Sequence, residues 1–571
     1  MYERNVNTIY YDAIQLYKDE FGSSYVYDES GNVTSVTDSR KQQNNYEYSN
    51  NNLTKATLHD GAVYNYEYDN YHNVTTATSA TGTKGTFGYD AFGNNTRVAI
   101  VNPGNTSDRV IESTATYTSN GNMLASVTDP LNKTVGYSYN NNTGTLTSVT
   151  ENPSGSDSAT TSYTYDNIYR LTKAERGYEG GTAEVSYSYL NDHLTGITYG
   201  GTNSLSYELT YGTFGQLTEV TAGGTTLVTN SYTYNSSTNP YYDLSSVVYG
   251  NGARVDYTYD SLGNLQSKKY DSDSTKTITY FYDNEGKLGK VYDDVQDLTH
   301  KYVYDISGRL ISDAESGWRT FTTTYGYDTN DNVSKIKDKV QTVTYENNYS
   351  FDADNRPTTA SSGSVSSSIT YDPWGRKSTE TVKHGSATVA TTSITYYNPS
   401  TAKTSLLPSA YNNTLNGSNK DYTYTYDSNG NITSITDSAG KHRSYRYDKL
   451  GQLVRENDEV SGNTWVFTYD TRGNITSKIR YAYTTSDTLG TALETIPYTY
   501  QSSGWKDILT SVGSTTYTND AIGNRLTDGT WTYIWEHGRQ LASMSKSGAS
   551  IAYGYDADGQ RIYKNVTEGS T

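Results

Sequence analysis

The chain has 571 residues and a formal net charge of −18, with 61 tyrosines, 49 glycines, no cysteine and only 33% hydrophobic residues. An acidic chain without a basic stripe counts against nucleic acid as a partner. The missing thiol excludes cysteine nucleophiles and cysteine metal sites, and no apolar run approaches the roughly 20 residues of a membrane helix. Length alone suggests several domains, but this composition suits one repetitive body. A two-faced sheet sealed by tyrosine needs few aliphatic residues, because tyrosine brings apolar area and keeps a polar tip.

In chain order, residues 1–20 lack the basic and apolar regions of a signal peptide, so any export signal is expected outside this chain. A short helical turn is expected around Asp12 to Asp19, and no other stretch carries helix start and stop signals. Tyr27-Asp28-Glu29-Ser30-Gly31 then opens a recurring pattern; Tyr48 and Tyr68 follow with degraded turns, and Asp90 to Gly93 restores it. It returns at Asp260 to Gly263, Asp283 to Gly286, Asp305 to Gly308 and Asp372 to Gly375. Asp427 to Gly430, Asp448 to Gly451, Asp470 to Gly473, Asp520 to Gly523 and Asp556 to Gly559 complete it. The spacing of about 20 to 25 residues is the range of solenoids and related arrays.

The stretch Tyr424 to Asp437, YTYDSNGNITSITD, gives the physical reason for the pattern. Tyr424 and Tyr426 project from one face of an extended strand. Asp427 and Gly430 fill the first and fourth positions of a type I turn, and a left-handed Gly430 closes the hairpin through a bulge. Ile432 to Thr436, rich in β-branched residues, makes the returning strand. Where glycine is replaced, His72, Asp331 and Asn355 tolerate positive φ; Tyr169 does not fit, and a rearranged turn is expected there. Pro373 suits the second turn position. Pro103, Pro130, Pro153, Pro240, Pro357, Pro399, Pro408 and Pro497 fall mostly between the alternating runs. From about His384 to Lys420 longer loops or degenerate hairpins are expected. Trp531, Tyr533 and Trp535 alternate on one face before a shortened turn at Glu536 to Arg539.

This array resembles the RHS-repeat, or YD-repeat, family through Tyr-x-Tyr-Asp-x-x-Gly-Asn/Arg/Gln followed by a β-branched strand, with about eleven clear turns over nearly the whole chain. Trp531 to Met544 is similar to late repeats of such proteins in Gram-positive bacteria. The family includes polymorphic toxins, wall-associated proteins, toxin-complex shell components and teneurins. The resemblance implies a long β-sheet spiralling into a hollow or partly open shell. In toxin members that shell encloses a C-terminal toxin; in teneurins it serves adhesion. The family's C-terminal core, with its Asp-Pro-x-Gly signature and self-cleaving aspartate, has no match after Tyr555-Asp556. Tyr371 to Gly375 lies mid-array and reads as an ordinary repeat turn.

Catalytic constellations are absent from the text: there is no G-x-S-x-G elbow, phosphate loop or H-E-x-x-H. His59, His72, His193, His300, His384, His442 and His537 show no ligand spacing. Glycoside hydrolysis needs two placed carboxylates, but the repeated Asp already accepts turn hydrogen bonds. Asp352-x-Asp354-Asn355 and Asp556-x-Asp558-Gly559 are fragments of a calcium loop and read as turns. Tyrosine is read as structural, sealing the sheet; Trp374 at a turn tip and the Trp531/Trp535 pair are the candidate contact aromatics.

These readings predict an all-β chain of tandem hairpins, with residues 1–530 forming a YD/RHS-repeat shell and 531–571 its final repeats. The expected function is a non-enzymatic shell enclosing or presenting a C-terminal toxin in the full-length parent. The alternative is a cell-surface adhesion module binding glycans or proteins through aromatic faces. An embedded glycosidase is least favoured. No catalytic site, cofactor or metal is expected. The expected partners are the parent's toxin cargo and a cell-wall glycan or surface protein, and the expected location is extracellular or cell-wall associated.

Overall fold

Tyrosine and β-branched residues alternating with polar ones extend the chain, and turns fold it into hairpins. In the strand Gln43–Ser49 every second residue is exposed, while Asn44, Tyr46 and Tyr48 share the half-buried face. The computed structural model describes residues 22–105, 107–152, 158–201, 203–234 and 242–569. Asp12 to Asp19, Pro153 and Pro240 lie outside them. Among the described residues there are fifty strands and no helix, in sheets of 44 and six strands. Strands pair antiparallel, mostly with their neighbours in the sequence, as in Tyr422–Tyr426 with Ile432–Asp437. One isolated bridge, Val110 with Lys403, is parallel.

The Asp-turn end of each hairpin carries a bulge. Tyr426 pairs with Ile432 but Thr425 pairs with Ser434, leaving Thr433 over. Tyr169 does not rearrange its turn. It sits at φ 68°, its N–H donates to the Asp166 carbonyl at 3.1 Å, and Asp166 N–H donates to Arg170 O at 3.0 Å. The Asp166 carboxylate also takes the Ile168 and Arg170 amides and Arg170 Nε. That set of bonds offsets the roughly 1–2 kcal/mol of a left-handed non-glycine residue. Asp69 to Asn73 likewise forms the full turn with His72 at φ 68°. After Tyr48 the hairpin closes in two residues, Asn50 and Asn51, both at positive φ. Between His384 and Lys420 the strands Ala387–Tyr396 and Pro408–Leu415 flank an eleven-residue connection, residues 397–407. Pro497 lies inside a strand, Glu494–Tyr500, opposite Ser477.

Two compact units emerge. The first holds residues 1–136, 304–312 and 322–440; the second holds 137–303, 313–321 and 441–571. In each, an earlier run of hairpins meets a later run. In the second unit Val255, Tyr270, Ile278, Tyr280, Val291 and Ala557 pack together in a buried core.

Candidate functional site

The repeated turn is the commonest piece of built chemistry in the molecule. At Asp28, Asp90, Asp260, Asp283, Asp305, Asp372, Asp427, Asp448, Asp470, Asp520 and Asp556, the backbone N–H donates to the carbonyl four residues on, at 2.8–3.0 Å. The N–H of Gly31, Gly93, Gly263, Gly286, Gly308, Gly375, Gly430, Gly451, Gly473, Gly523 and Gly559 donates back to its Asp carbonyl at 2.9–3.1 Å. Those glycines lie at φ 76–88°, a region open to glycine without a Cβ clash. One Asp oxygen accepts two amides. Asp260 takes Leu262 N at 2.8 Å and Asn264 N at 2.9 Å, and its second oxygen takes Asn264 Nδ2 at 3.0 Å. The Asn side-chain bond, chiefly, holds the carboxyls of Asp28, Asp69 and Asp260 below the usual range. At Asp166 the Arg170 amide is the main cause.

Tyrosine joins one hairpin to the next. The ladder between Leu453–Asp458 and Asn463–Tyr469 ends at Arg455, so the Leu453 carbonyl lies past its last pair. The Tyr469 hydroxyl donates to that carbonyl at 2.7 Å. The same link runs from Tyr89 to Val74, Tyr189 to Leu171, Tyr282 to Leu265, Tyr327 to Leu310 and Tyr555 to Leu541. Trp535 does the same with its indole N–H, to Arg525 O at 2.7 Å. Ring pairs also occur, such as Tyr411 edge-on to Tyr424 at 6.0 Å, but the hydroxyl bond is the link that recurs. Where Arg follows the turn glycine or its substitute, it binds its own Asp and lies over the next tyrosine. Arg376 donates to Asp372 at 2.8 Å and sits 3.9 Å from the Tyr396 ring centroid; Arg170, Arg309 and Arg356 lie over Tyr189, Tyr327 and Tyr371.

Turn tips also meet distant turns. In the first unit, His59 Nε2 lies 2.8 Å from Thr329 O and Asn330 Nδ2 donates to Asp60 at 2.5 Å. Asp331 takes both Arg40 and Arg309. Asp354 accepts Ser79 Oγ at 2.7 Å and the Ala80 amide at 3.1 Å. In the second unit, Thr471 Oγ1 donates to Gly200 O at 3.0 Å and Trp505 Nε1 to Tyr207 Oη at 3.0 Å. Asn251 Nδ2 donates to Asp520 at 2.8 Å. The partners of such long-range side-chain bonds lie 243 to 302 residues apart in the second unit and 265 to 291 in the first.

The candidate contact aromatics are all engaged. Trp374 is half-buried, donates to Arg109 O at 3.0 Å and has Arg376 over its ring at 4.8 Å. Lys546 Nζ lies 4.7 Å from the Trp531 ring. The two calcium-loop fragments hold turn bonds: Asp352 and Asp556 each accept amides two and four residues on. Among the described residues no group of three or more His, Asp or Glu is arranged to hold a metal ion, and no helix is long and apolar enough to cross a membrane.

Sequence reasoning missed a buried ionic cluster in the second unit. His300 lies 3.3 Å from Glu315 and 3.7 Å from Asp313, and Arg319 Nη2 donates to Glu315 at 2.8 Å. Contact with Asp313, the largest cause, and then Glu315 raises the His300 pKa against the opposing effect of burial. The alternation Asp313-x-Glu315, placing both acids on one strand face, was the available signal. Nearby, Asp293 accepts the Val295 and Gln296 amides at 2.9 and 3.1 Å, and burial raises its pKa. It lines a cavity of about 20 Å³ with Tyr270, His537 and Asp556, space for one water. His537 stacks on Tyr270 at 3.6 Å between centroids, and burial lifts the Tyr270 hydroxyl to about 12.

The model of the RHS repeat matches residues 48–84, 426–460 and 447–486. Among solved structures, the chain is similar to a Photorhabdus luminescens Tc holotoxin pore carrying a TccC3 mutation, at 13% identity and TM-score 0.49, covering 97% of this chain and 31% of that one. It is similar to TcdB2-TccC3 at 12% identity and TM-score 0.36, covering 98% and 40%. The corresponding values for TcdB2-TccC3-Cdc42 are 10%, 0.35, 97% and 41%. The chain thus spans between 31% and 41% of the length of these matches. No curated protein matches it.

Proposed function

We propose that this chain, which carries RHS repeats at residues 48–84, 426–460 and 447–486, is a non-enzymatic structural wall that encloses or presents a C-terminal toxin or effector in a longer parent. The observation that carries this reading is that, in both units, tip contacts join hairpins of an earlier run to hairpins of a much later one. In both units a turn meets another turn roughly 270 residues later, as in His59 with Thr329 and Thr471 with Gly200. Within each unit, hairpins of the later run seat on hairpins of the earlier one, which makes a continuous wall of the kind a shell would need. On this reading residues 531–571 are the final repeats of the array that residues 1–530 begin. The chemistry agrees with a wall: the recurring carboxylates are committed to turns and the recurring hydroxyls to carbonyls between hairpins. A parent that encloses a toxin acts outside the cell or at the cell wall.

Cryo-electron microscopy of the purified chain tests the containment. The expected density has an empty interior bounded by a single sheet, and a filled or flat body overturns it. In the parent, the segment that follows the repeats is expected to resist added protease until the wall is unfolded; equal cleavage before and after unfolding would count against enclosure.

A further inference from the structure

The connection between the strands Ile475–Ala482 and Glu494–Tyr500, residues 483–493, is tied to one face of the hairpin made by His442–Tyr447 and Leu453–Asp458. On that face Arg446 stands directly opposite Arg455, and Ser444 opposite Asn457. Arg455 is 6% exposed. Its Nε donates to Asn457 Oδ1 at 2.8 Å, and its Nη2 donates to Thr484 O and Ser486 O, both at 2.8 Å. Arg446 is exposed, and its Nη1 donates to Asp487 at 2.5 Å. The Asp487 side chain is itself 83% exposed.

Two other buried guanidinium groups show what this one lacks. Arg376 lies 2.8 Å from Asp372, and Arg472 lies 2.7 Å from Asp507 and 3.0 Å from Asp470. Arg455 pairs with no carboxylate among the described residues, and the side chain directly across the ladder repeats its charge. Like charges in that position repel, and a buried cation without a counter-charge is costly. Burial, and after it Arg446, lowers the Arg455 pKa. Asn457 and the strap use three of the five N–H donors of Arg455. The two on Nη1 are left over. Fastening the strap accounts for the bonds that are made. It does not account for a site with two cations, one carboxylate and spare donors.

We propose that Arg446 and Arg455 form a clamp for a phosphate group, inorganic or carried as a monoester, in which Asp487 of the strap holds the ligand's place. The class of ligand follows from the donors and the charge. Each guanidinium fork binds a pair of oxygens, and a tetrahedral oxyanion serves two forks where a single carboxylate serves one. Two cations match a phosphate, whose charge at neutral pH approaches −2, once Asp487 has left Arg446. Arg455 can bind through Nη1 while Nη2 keeps the strap. The ligand therefore displaces one exposed ion pair and no buried bond.

Isothermal titration calorimetry of the full chain with inorganic phosphate, at fixed ionic strength because salt screens exposed charge, tests this. One-to-one binding with a Kd of about 1 mM or tighter is expected. Asp487→Asn is expected to tighten binding about 2- to 5-fold, the contribution of an exposed ion pair that no longer competes. A strap that is merely fastened would gain nothing from that change. Arg446→Gln, on the exposed side of the site, is expected to abolish binding, with unchanged hydrogen exchange of Leu453–Asp458 showing that the hairpin is intact. Glycerol 3-phosphate separates the two sources: binding equal to that of inorganic phosphate assigns the clamp to a group carried on a larger molecule, and weaker binding assigns it to the free ion. No saturation by about 10 mM phosphate, binding that survives Arg446→Gln, or an Asp487→Asn chain that binds no tighter than the parent each overturns the proposal.

Discussion

Replacing Tyr469 with Phe removes one hydroxyl and leaves the ring, so it isolates the bond that ties neighbouring hairpins. The hydroxyl donates at 2.7 Å to Leu453 O, which lies beyond the last ladder pair at Arg455. A net hydrogen bond contributes about 0.5–1.5 kcal/mol, and stranding the carbonyl adds to that where water cannot reach it. Both groups are half-buried, so the sum is about 1–2 kcal/mol. A 571-residue array does not unfold in one step, so the assay is native-state hydrogen exchange read by mass spectrometry. Amides of Leu453–Asp458 and Asn463–Tyr469 should exchange roughly 5- to 30-fold faster in Tyr469→Phe. Tyr71→Phe, at an exposed turn tip, should change nothing locally. Unaltered exchange around Leu453 would refute the claim that the hydroxyl, rather than the ring, holds successive hairpins together.

The turn and its charge give two more expectations. Gly286 lies at φ 80° with open space where a Cβ would go, so Gly286→Val should destabilise its hairpin by about 1 kcal/mol or more while Gly286→Asn stays near neutral; equal hydrogen exchange of the flanking strand amides in the two variants would remove the conformational argument. The carboxyls of Asp28, Asp69, Asp166 and Asp260 sit below their ordinary pKa in the folded chain. Their contribution is therefore complete above about pH 4 and lost as pH falls through the folded values, so the local stability of these four turns, read by hydrogen exchange corrected for the intrinsic rate, should be flat from pH 7 to 5 and drop below 4.

Local chemistry was legible in the sequence, and distant chemistry was not. Alternating tyrosine and β-branched residues carry a strand signal within five residues, which is why the all-β array of hairpins could be read directly. Tyr169 misled because propensity for positive φ was weighed without the bonds of Asp166, which hold the turn whatever side chain stands in its fourth place. Pro497 misled because a strand can accept proline where its N–H is not required by the ladder. The hydroxyl partners of the tyrosines sit one hairpin back and are mostly carbonyls of the leucine that opens a returning strand, as at Leu171, Leu265, Leu310, Leu453 and Leu541; the leucine is visible in the sequence, but the bond goes to its backbone, which no side chain announces. The tip contacts, such as His59 with Thr329, join residues 270 apart, and nothing near either one announces the other. Trp374 stood out as a lone tip aromatic, and its N–H goes to Arg109 O, a carbonyl that no motif marks.

The long interval between meeting tips makes copy number a collective property. A duplicated hairpin inserted between Asp60 and Thr329 would find every local requirement met: its own aspartate, its own glycine, a tyrosine reaching back to the strand before it. Yet it would carry Thr329, Asn330 and Asp354 one step past Asp60, His59 and Ser79, which they now touch. The array works like a vernier, in which each division is interchangeable and the count between two marks is not. Evolution can therefore rewrite the letters of any one repeat cheaply, while adding or losing a whole repeat puts every later coincidence out of step.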